Sequence, residues 1–356
     1  MKPLAAADFA GAALARADAR ASVPELSDDA FEARWKLAAA EGALKVVRSF
    51  PALWWRDLRA VDPARVPAGR ALGFGDAHVE NFGFLAFDDG GVGYAFNDLD
   101  DSGDVEVALD ALRYFTAASL WRGAGAPVDL AALVRTWADA LEKDRDPVID
   151  DRAFLDAVDA PDPAKMRRKA LERWSTEPEL PPITDVEHAA LRDALRGLPE
   201  TGGYEFFAAR RRAVHGGGSG GLLRFWAIVR APGGHLDVLE LKERSTPATE
   251  QGARARKVDK RLSTLKKAVW PGRSITPYHR LEVRLAGRDV SFVVRSRGAR
   301  ASLKGDVPAP FRKQARALAA VHRRAERAAS PGELAAWVEG SVPALVARWS
   351  ALARVR

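Results

Sequence analysis

The chain has 356 residues, of which 47% are hydrophobic and 29% charged, with no cysteine and a formal net charge of +7. Such a balance belongs to a globular chain with room for two domains or one two-lobed body. It excludes disulfides, thiolate zinc sites and cysteine nucleophiles, and no run reaches the roughly 20 apolar residues of a membrane helix, so a cytoplasmic location is the expectation.

In chain order, Met1 to Ala21 is Ala-rich but broken by Asp8, Arg16, Asp18 and Arg20, which predicts an amphipathic helix rather than a signal peptide. Residues 26–60 read as helix, with Phe31, Trp35, Leu37, Ala38 and Leu44 at helical spacing and Leu53, Trp54, Trp55 and Leu58 as core. Residues 75–83 read Gly-Asp-Ala-His-Val-Glu-Asn-Phe-Gly, a tight polar loop. A hairpin over 81–96, turning at Asp88-Asp89-Gly90-Gly91, returns the chain to Asn97-Asp98-Leu99-Asp100-Asp101. Val107 to Trp121 is a buried helix, and 128–143 and 163–174 are further helices, with Pro161, Pro178, Pro181 and Pro182 in loops. The first 200 residues are thus expected to be mainly helical around one hairpin.

The pattern changes at His215-Gly216-Gly217-Gly218-Ser219-Gly220-Gly221. Strands follow over 222–229 and 236–243, placing Lys242 on one face with Val238 and Glu240. Ser245-Thr246-Pro247 marks a helix start, leading to a basic helix ending near Lys267. A hairpin over 278–285 and 290–295 turns at Gly287-Arg288, and helices fill 308–329 and 332–352.

Carboxylates and an amide oxygen gathered at two ends of one hairpin are hard oxygen ligands of the kind Mg²⁺ takes beside phosphate oxygens. The plain alternative is a polar loop held by Asx-type turns. A glycine run between strands lets backbone N–H groups approach an anion, although a flexible linker has the same composition. Lys242 on the return strand suits a phosphate contact, with a snorkelling surface lysine as its alternative. Residues 201–356 carry 31 Lys and Arg against 12 Asp and Glu, leaving 24 against 36 in residues 1–200. A basic half facing an acidic half suits a cleft that holds a polyanion.

Residues 75–83, 97–101, Gly218-Ser219-Gly220 and Leu241-Lys242-Glu243, with Leu318 to His322, resemble the bacterial family called domain of unknown function 2252, from about Trp35 to Arg324. A deeper resemblance is to the aminoglycoside phosphotransferase-like and choline-kinase-like enzymes. Residues 75–81 are similar to their catalytic loop except that Phe74 stands where it has histidine. Asn97 to Asp101 resembles their metal-binding strand end, and Asp104 with Asp110-Ala111-Leu112 their next helix start. The likeness implies an α+β, two-lobed protein kinase-like fold and an ATP- and Mg²⁺-dependent phosphotransferase acting on a hydroxyl of a small-molecule acceptor. Asp76 would orient or deprotonate that hydroxyl and His78 would buttress the loop. Asn81 and Asp98, with Asp100 as a further candidate, would hold Mg²⁺. Gly216, Gly217, Gly218, Ser219, Gly220, Gly221 and Lys242 would contact the nucleotide, with Glu250 as the lysine's partner and Glu243 and Glu240 as rivals.

In those enzymes the glycine loop precedes the catalytic loop, whereas here it follows by some 140 residues. Circular permutation accounts for that order: residues 1–200 form the helical lobe, 201–305 the β-rich nucleotide lobe, and 306–356 return to the helical lobe. Two alternatives stand beside the enzyme. One is a non-catalytic, pseudokinase-like nucleotide-binding module; the other is a nucleic-acid-binding protein using the basic face of 254–300. A metallophosphoesterase is disfavoured, because no two of the six histidines lie closer than 20 residues.

Overall fold

A computed structural model describes residues 1–9, 13–125, 127–143, 145–176, 183–197, 204–212, 220–244, 247–250, 258–327 and 329–355. Its class is α+β: helices α1 to α12 surround three antiparallel sheets.

The expected N-terminal helix is reduced to a 3-10 turn, Ala6–Asp8, and a short α1 (Arg16–Ala21). The helical stretch over 26–60 forms three pieces: α2 (Asp28–Glu41), α3 (Ala43–Ser49) and α4 (Pro51–Arg59). Two residues make the breaks. Gly42 sits at φ +95°, outside the helical region, and Pro51 has no N–H to continue a helix but suits the first position of a new one. Ser27 caps α2 by accepting the Ala30 N–H at 3.2 Å.

Strand β1 (Gly69–Gly73) leads into the 75–83 loop. Strands β2 (Phe82–Ala86) and β3 (Val92–Phe96) form the expected hairpin, closed by Phe87 N–H to Gly91 O at 2.9 Å. Strand β4 (Gly103–Glu106) then runs back along β1, so the first 200 residues hold a second strand pair beyond the one hairpin expected. Helix α5 (Val107–Ser119) has every residue from Val107 to Ala118 buried, Asp110 and Arg113 included. Helices α6 (Leu130–Ala140), α7 (Arg152–Ala157), α8 (Pro163–Thr176) and α9 (Asp185–Arg196) follow.

A five-stranded sheet holds β5 (Glu205–Arg211), β6 (Arg224–Arg230), β7 (Leu236–Glu243), β8 (Tyr278–Leu285) and β9 (Arg288–Ser296) in the order β5-β6-β7-β9-β8. Helix α10 (Val258–Val269) joins β7 to β8. Leu239 and Leu241 face a core shared with Phe225, Phe292 and Leu191 of α9. The opposite face carries Val238, which packs with Trp226 and with Ala170 and Trp174 of α8. Strand β10 (Arg300–Ser302) joins the hairpin sheet beside β2. Beyond it the single helix expected over 308–329 is α11 (Phe311–His322) followed by strand β11 (Glu326–Arg327), which pairs with β1. Helix α12 (Pro331–Leu352) starts at a capping box between Ser330 and Glu333 and packs against α3, α5 and α6. The largest core therefore runs from Phe31 and Trp54 through α5 to Trp337 and Trp349, directly behind the 75–83 loop.

Candidate functional site

The loop after β1 is shaped by one carboxylate. Asp110, fully buried in the first turn of α5, accepts the Phe74 N–H at 2.9 Å on Oδ2 and the Gly75 N–H at 3.0 Å on Oδ1. His322 of α11 supplies a third bond, Nε2 to Asp110 Oδ2 at 2.9 Å, while the Trp137 indole N–H donates to its Nδ1 at 3.3 Å. A ring that accepts at Nδ1 presents Nε2–H to Asp110, so His322 is the donor of that bond. Gly75, at φ +72°, admits no substitute: a Cβ there would stand 1.8 Å from the Asp101 carbonyl oxygen.

This anchoring turns Asp76 inward. Arg113, also on α5, donates from Nε at 3.0 Å and from Nη2 to Asp76 Oδ1. His78 Nε2 lies 3.4 Å from Oδ2, and Asn81 Nδ2 donates to Oδ2 at 3.3 Å and to the Asp76 carbonyl at 2.9 Å. Burial opposes ionisation of Asp76, but the charge of Arg113 and the hydrogen bonds from His78 and Arg113 outweigh it and hold the carboxyl well below the usual range. Burial depresses His78 despite the neighbouring Asp76, which leaves its imidazole neutral near pH 7. Asp76, His78 and Asn81 thus form one bonded cluster.

The second cluster joins distant parts of the chain. Lys242 Nζ lies 3.1 Å from Asp98 Oδ2 and 2.7 Å from Asp100 Oδ2, an association across 144 residues. Arg295 of β9 places Nη1 3.4 Å from Asp98 Oδ1. Burial disfavours the Lys242 ammonium, yet Asp100 and Asp98 outweigh it and raise its pKa. Burial likewise disfavours Asp98 ionisation, and Lys242 and Arg295 reverse the sign. Asp101 faces elsewhere: its Oδ1 accepts the Ala248 N–H at 2.9 Å and its carbonyl accepts the Thr249 hydroxyl at 3.0 Å. The two clusters are neighbours through the backbone, because Asn97 N–H donates to the Asn81 carbonyl at 2.8 Å.

Lys242 therefore takes two aspartates as partners. Glu240, a rival partner, accepts from Arg295 Nε at 2.6 Å and Arg224 Nη1 at 3.3 Å. Glu243 accepts the Leu223 N–H at 2.7 Å and lies 3.3 Å from Arg288. Glu250 ends the 3-10 turn Ala248–Glu250, and its side chain lies outside the described residues. Gly216, Gly217, Gly218 and Ser219 also lie outside them. Gly220 carries the run's end onto α2, where its carbonyl accepts from Arg34 at 3.3 Å, and Gly221 follows at φ +84°. Arg224, the first residue after the run in β6, pairs with Lys242 in register, so that loop enters the sheet at the lysine's end.

Among the described residues no three His, Asp or Glu side chains converge to hold a metal by themselves. The donor set nonetheless suits Mg²⁺, which is held by one or two carboxylates together with substrate phosphates. Among the described residues Asp100 Oδ1 is buried with no hydrogen-bond partner. Sequence reasoning passed over Arg113 and Arg295. Each is the lone charge inside an apolar run, Ala111-Leu112-Arg113-Tyr114-Phe115 and Phe292-Val293-Val294-Arg295, a pattern that requires a buried carboxylate partner. Compared with protein-family models, curated proteins and solved structures, the chain matches none.

Proposed function

We propose that this chain is a protein kinase-like phosphotransferase with permuted lobe order, moving the γ-phosphoryl group of ATP to a hydroxyl of a small-molecule acceptor. The observation that carries the reading is the meeting of Lys242 with Asp98 and Asp100. Lysine on the third strand of a five-stranded sheet, a glycine run between the first two strands and a helix after the third are the parts that hold nucleotide phosphates in kinases. Here β5-β6-β7-β9-β8 has that arrangement, with α10 after β7.

In this reading Lys242 leaves its aspartates to neutralise phosphate oxygens. Asp98 and Asp100, with Asn81, are the residues that would hold Mg²⁺, which when bound neutralises charge on the transferring phosphate. Asp76 receives the acceptor hydroxyl on Oδ2, its less tightly held oxygen, and aligns it for in-line attack. The hydroxyl oxygen bonds to the γ-phosphorus as the bridging bond to ADP breaks, and the proton passes to Asp76 and then to water. A carboxylate held so far toward its ionised form is a weak base. It serves alignment first, which suffices for a loose transition state needing little early deprotonation. The same hold by Arg113 favours the second reading, a nucleotide-binding module without turnover.

Thermal unfolding with and without MgATP tests the proposal. At about 100 times its dissociation constant the ligand adds roughly 2.7 kcal/mol. Asp98→Ala and Lys242→Ala should lose that gain. The Asp98 variant stays folded, since Lys242 keeps Asp100 and Arg295 keeps Glu240. No shift of wild type at millimolar MgATP overturns both readings. A shift without ADP formation across a panel of alcohols leaves the non-catalytic one.

A further inference from the structure

Next to this site lies a cavity of about 350 Å³ with an unusual lining, within the size range of small-molecule sites. Arg295, Arg297, Arg300 and Lys304 line it from the β9–β10 stretch, and Lys169 and Arg173 from α8. Its one carboxylate, Glu80, is already paired with Arg48. The Asn97 side of the cavity adjoins Asp98, and Arg295 spans the boundary with Nη1 3.4 Å from Asp98 Oδ1.

The positive charge here exceeds what the fold neutralises. Arg295 and Arg297 share Glu240 with Arg224, and Lys304 is paired with Asp159. Among the described residues Arg300 donates to the Asn97 carbonyl and rests over the Tyr278 ring at 5.0 Å, while its Nε and Nη2 are buried without a hydrogen-bond partner. Arg295, 6% exposed, has Nη1 paired with Asp98 at 3.4 Å. Lys169 and Arg173, one helical turn apart and solvent-facing, line it with no carboxylate within ion-pair distance among the described residues, although the charge of Lys169 reaches Asp159. Burial and the neighbouring Arg295 both push the Arg300 pKa down, the mark of crowded like charge. Six cationic side chains around a cavity of about 350 Å³ fit the charge and oxygens of a phosphate group.

We propose that this cavity binds the phosphate-bearing end of the acceptor, so that the acceptor is an anionic phosphorylated alcohol rather than a cation. The word acceptor rests on the phosphotransferase reading; the anion site does not. The nucleotide's own phosphates are the other source of this chemistry. Neither Lys242, Asp98, Asp100 nor any described residue of the glycine run lines the cavity, which places it beside the nucleotide phosphates rather than around them.

Calorimetric titration with inorganic pyrophosphate in EDTA tests the site, with spermidine as the cationic control, on wild type and on the Lys169→Glu/Arg173→Glu double variant. Both substitutions fall at exposed helix positions, where changes usually have little effect on stability. Pyrophosphate should bind wild type and weaken at least tenfold in the double variant, spermidine should not bind, and the MgATP-induced thermal shift should persist in the double variant. Unchanged pyrophosphate affinity in that variant, or spermidine binding instead, overturns the anion site. Joint loss of pyrophosphate binding and the MgATP shift makes the cavity the nucleotide's phosphate site and overturns the acceptor assignment. Pyrophosphate binding that the double variant loses, in a protein showing no MgATP shift at all, retains the anion site and removes the phosphotransferase.

Discussion

Replacing Lys242 by methionine keeps the aliphatic stem and removes the charge that joins the sheet to the 97–101 segment. Asp100 then loses its 2.7 Å partner while its other oxygen is already unpaired, and Asp98 retains only Arg295 at 3.4 Å. Removing one member of a buried ion pair costs about 3–5 kcal/mol. Asp98 keeps a cation and its side chain is 25% exposed, which places the expected loss at the lower end, about 3 kcal/mol. Two carboxylates released from an ammonium repel each other and invite a divalent ion. Lys242→Met should therefore lose about 3 kcal/mol in urea unfolding with EDTA present, and recover much of it in millimolar Mg²⁺. Wild type should respond less, because its lysine competes for the same oxygens. A loss under about 1 kcal/mol, the value of a solvated surface pair, refutes the buried-pair argument. An equal loss with and without Mg²⁺ refutes the carboxylates as a cation site.

Asp110→Asn turns an amide toward one of three donors, Phe74 N–H, Gly75 N–H or His322 Nε2–H. It should cost about 2 kcal/mol and speed hydrogen exchange at residues 74 and 75; unchanged exchange would show that another group shapes the loop. Gly75→Ala forces a Cβ to 1.8 Å from the Asp101 carbonyl and should lower the urea midpoint by the equivalent of roughly 3 kcal/mol or more; an unaltered midpoint would contradict the described loop. Burial raises the Asp237 pKa, against the Ser296 hydroxyl and the Val238 and Gly298 N–H groups it accepts. The folded state therefore holds that proton longer than the unfolded chain, and the contribution of Asp237 to stability falls as pH rises above 3.8. Asp237→Asn should be more stable than wild type near pH 7 and lose that advantage below pH 4; a pH-independent difference would refute the assignment.

The elements that were legible in the sequence carry their own periodicity. The 82–96 hairpin has strong turn residues between its runs, α5 is mostly apolar apart from Asp110 and Arg113, and β6 and β7 are separated by Pro232-Gly233-Gly234. The missed strands lack such signals. Strand β1 is Gly-Arg-Ala-Leu-Gly, poor in β-branched residues, and its partners are β4 and the two-residue β11 more than 250 positions away. Strand β5, Glu-Phe-Phe-Ala-Ala-Arg-Arg, does not alternate, and a register shift between Phe206 and Ala208 interrupts its ladder with β6. Residue type and local spacing mark Asp76, His78 and Asn81 in one loop and Asp98 and Asp100 in another, whereas the pairing of Lys242 with those aspartates, rather than with a glutamate, was not legible. Their partners Arg113 and Arg295 were not sought, because a charge inside an apolar run states that a partner exists without saying where.

Counting charge by halves of the sequence does not locate the basic cavity. The first 200 residues are acidic in sum, with 24 Lys and Arg against 36 Asp and Glu, yet that half contributes Lys169 and Arg173 to the cavity. Its catalytic-loop carboxylates are consumed internally, Asp76 by Arg113 and Asp110 by the 74–75 amides and His322. Asp98 and Asp100 are consumed across the junction by Lys242 and Arg295. What the fold leaves unneutralised beside Asn97 is guanidinium and ammonium, and it is uncompensated charge inside a cavity, not the composition of a segment, that selects the sign of a ligand. A cationic acceptor would have to enter against six basic side chains, whereas a phosphate would be drawn in by the same charge.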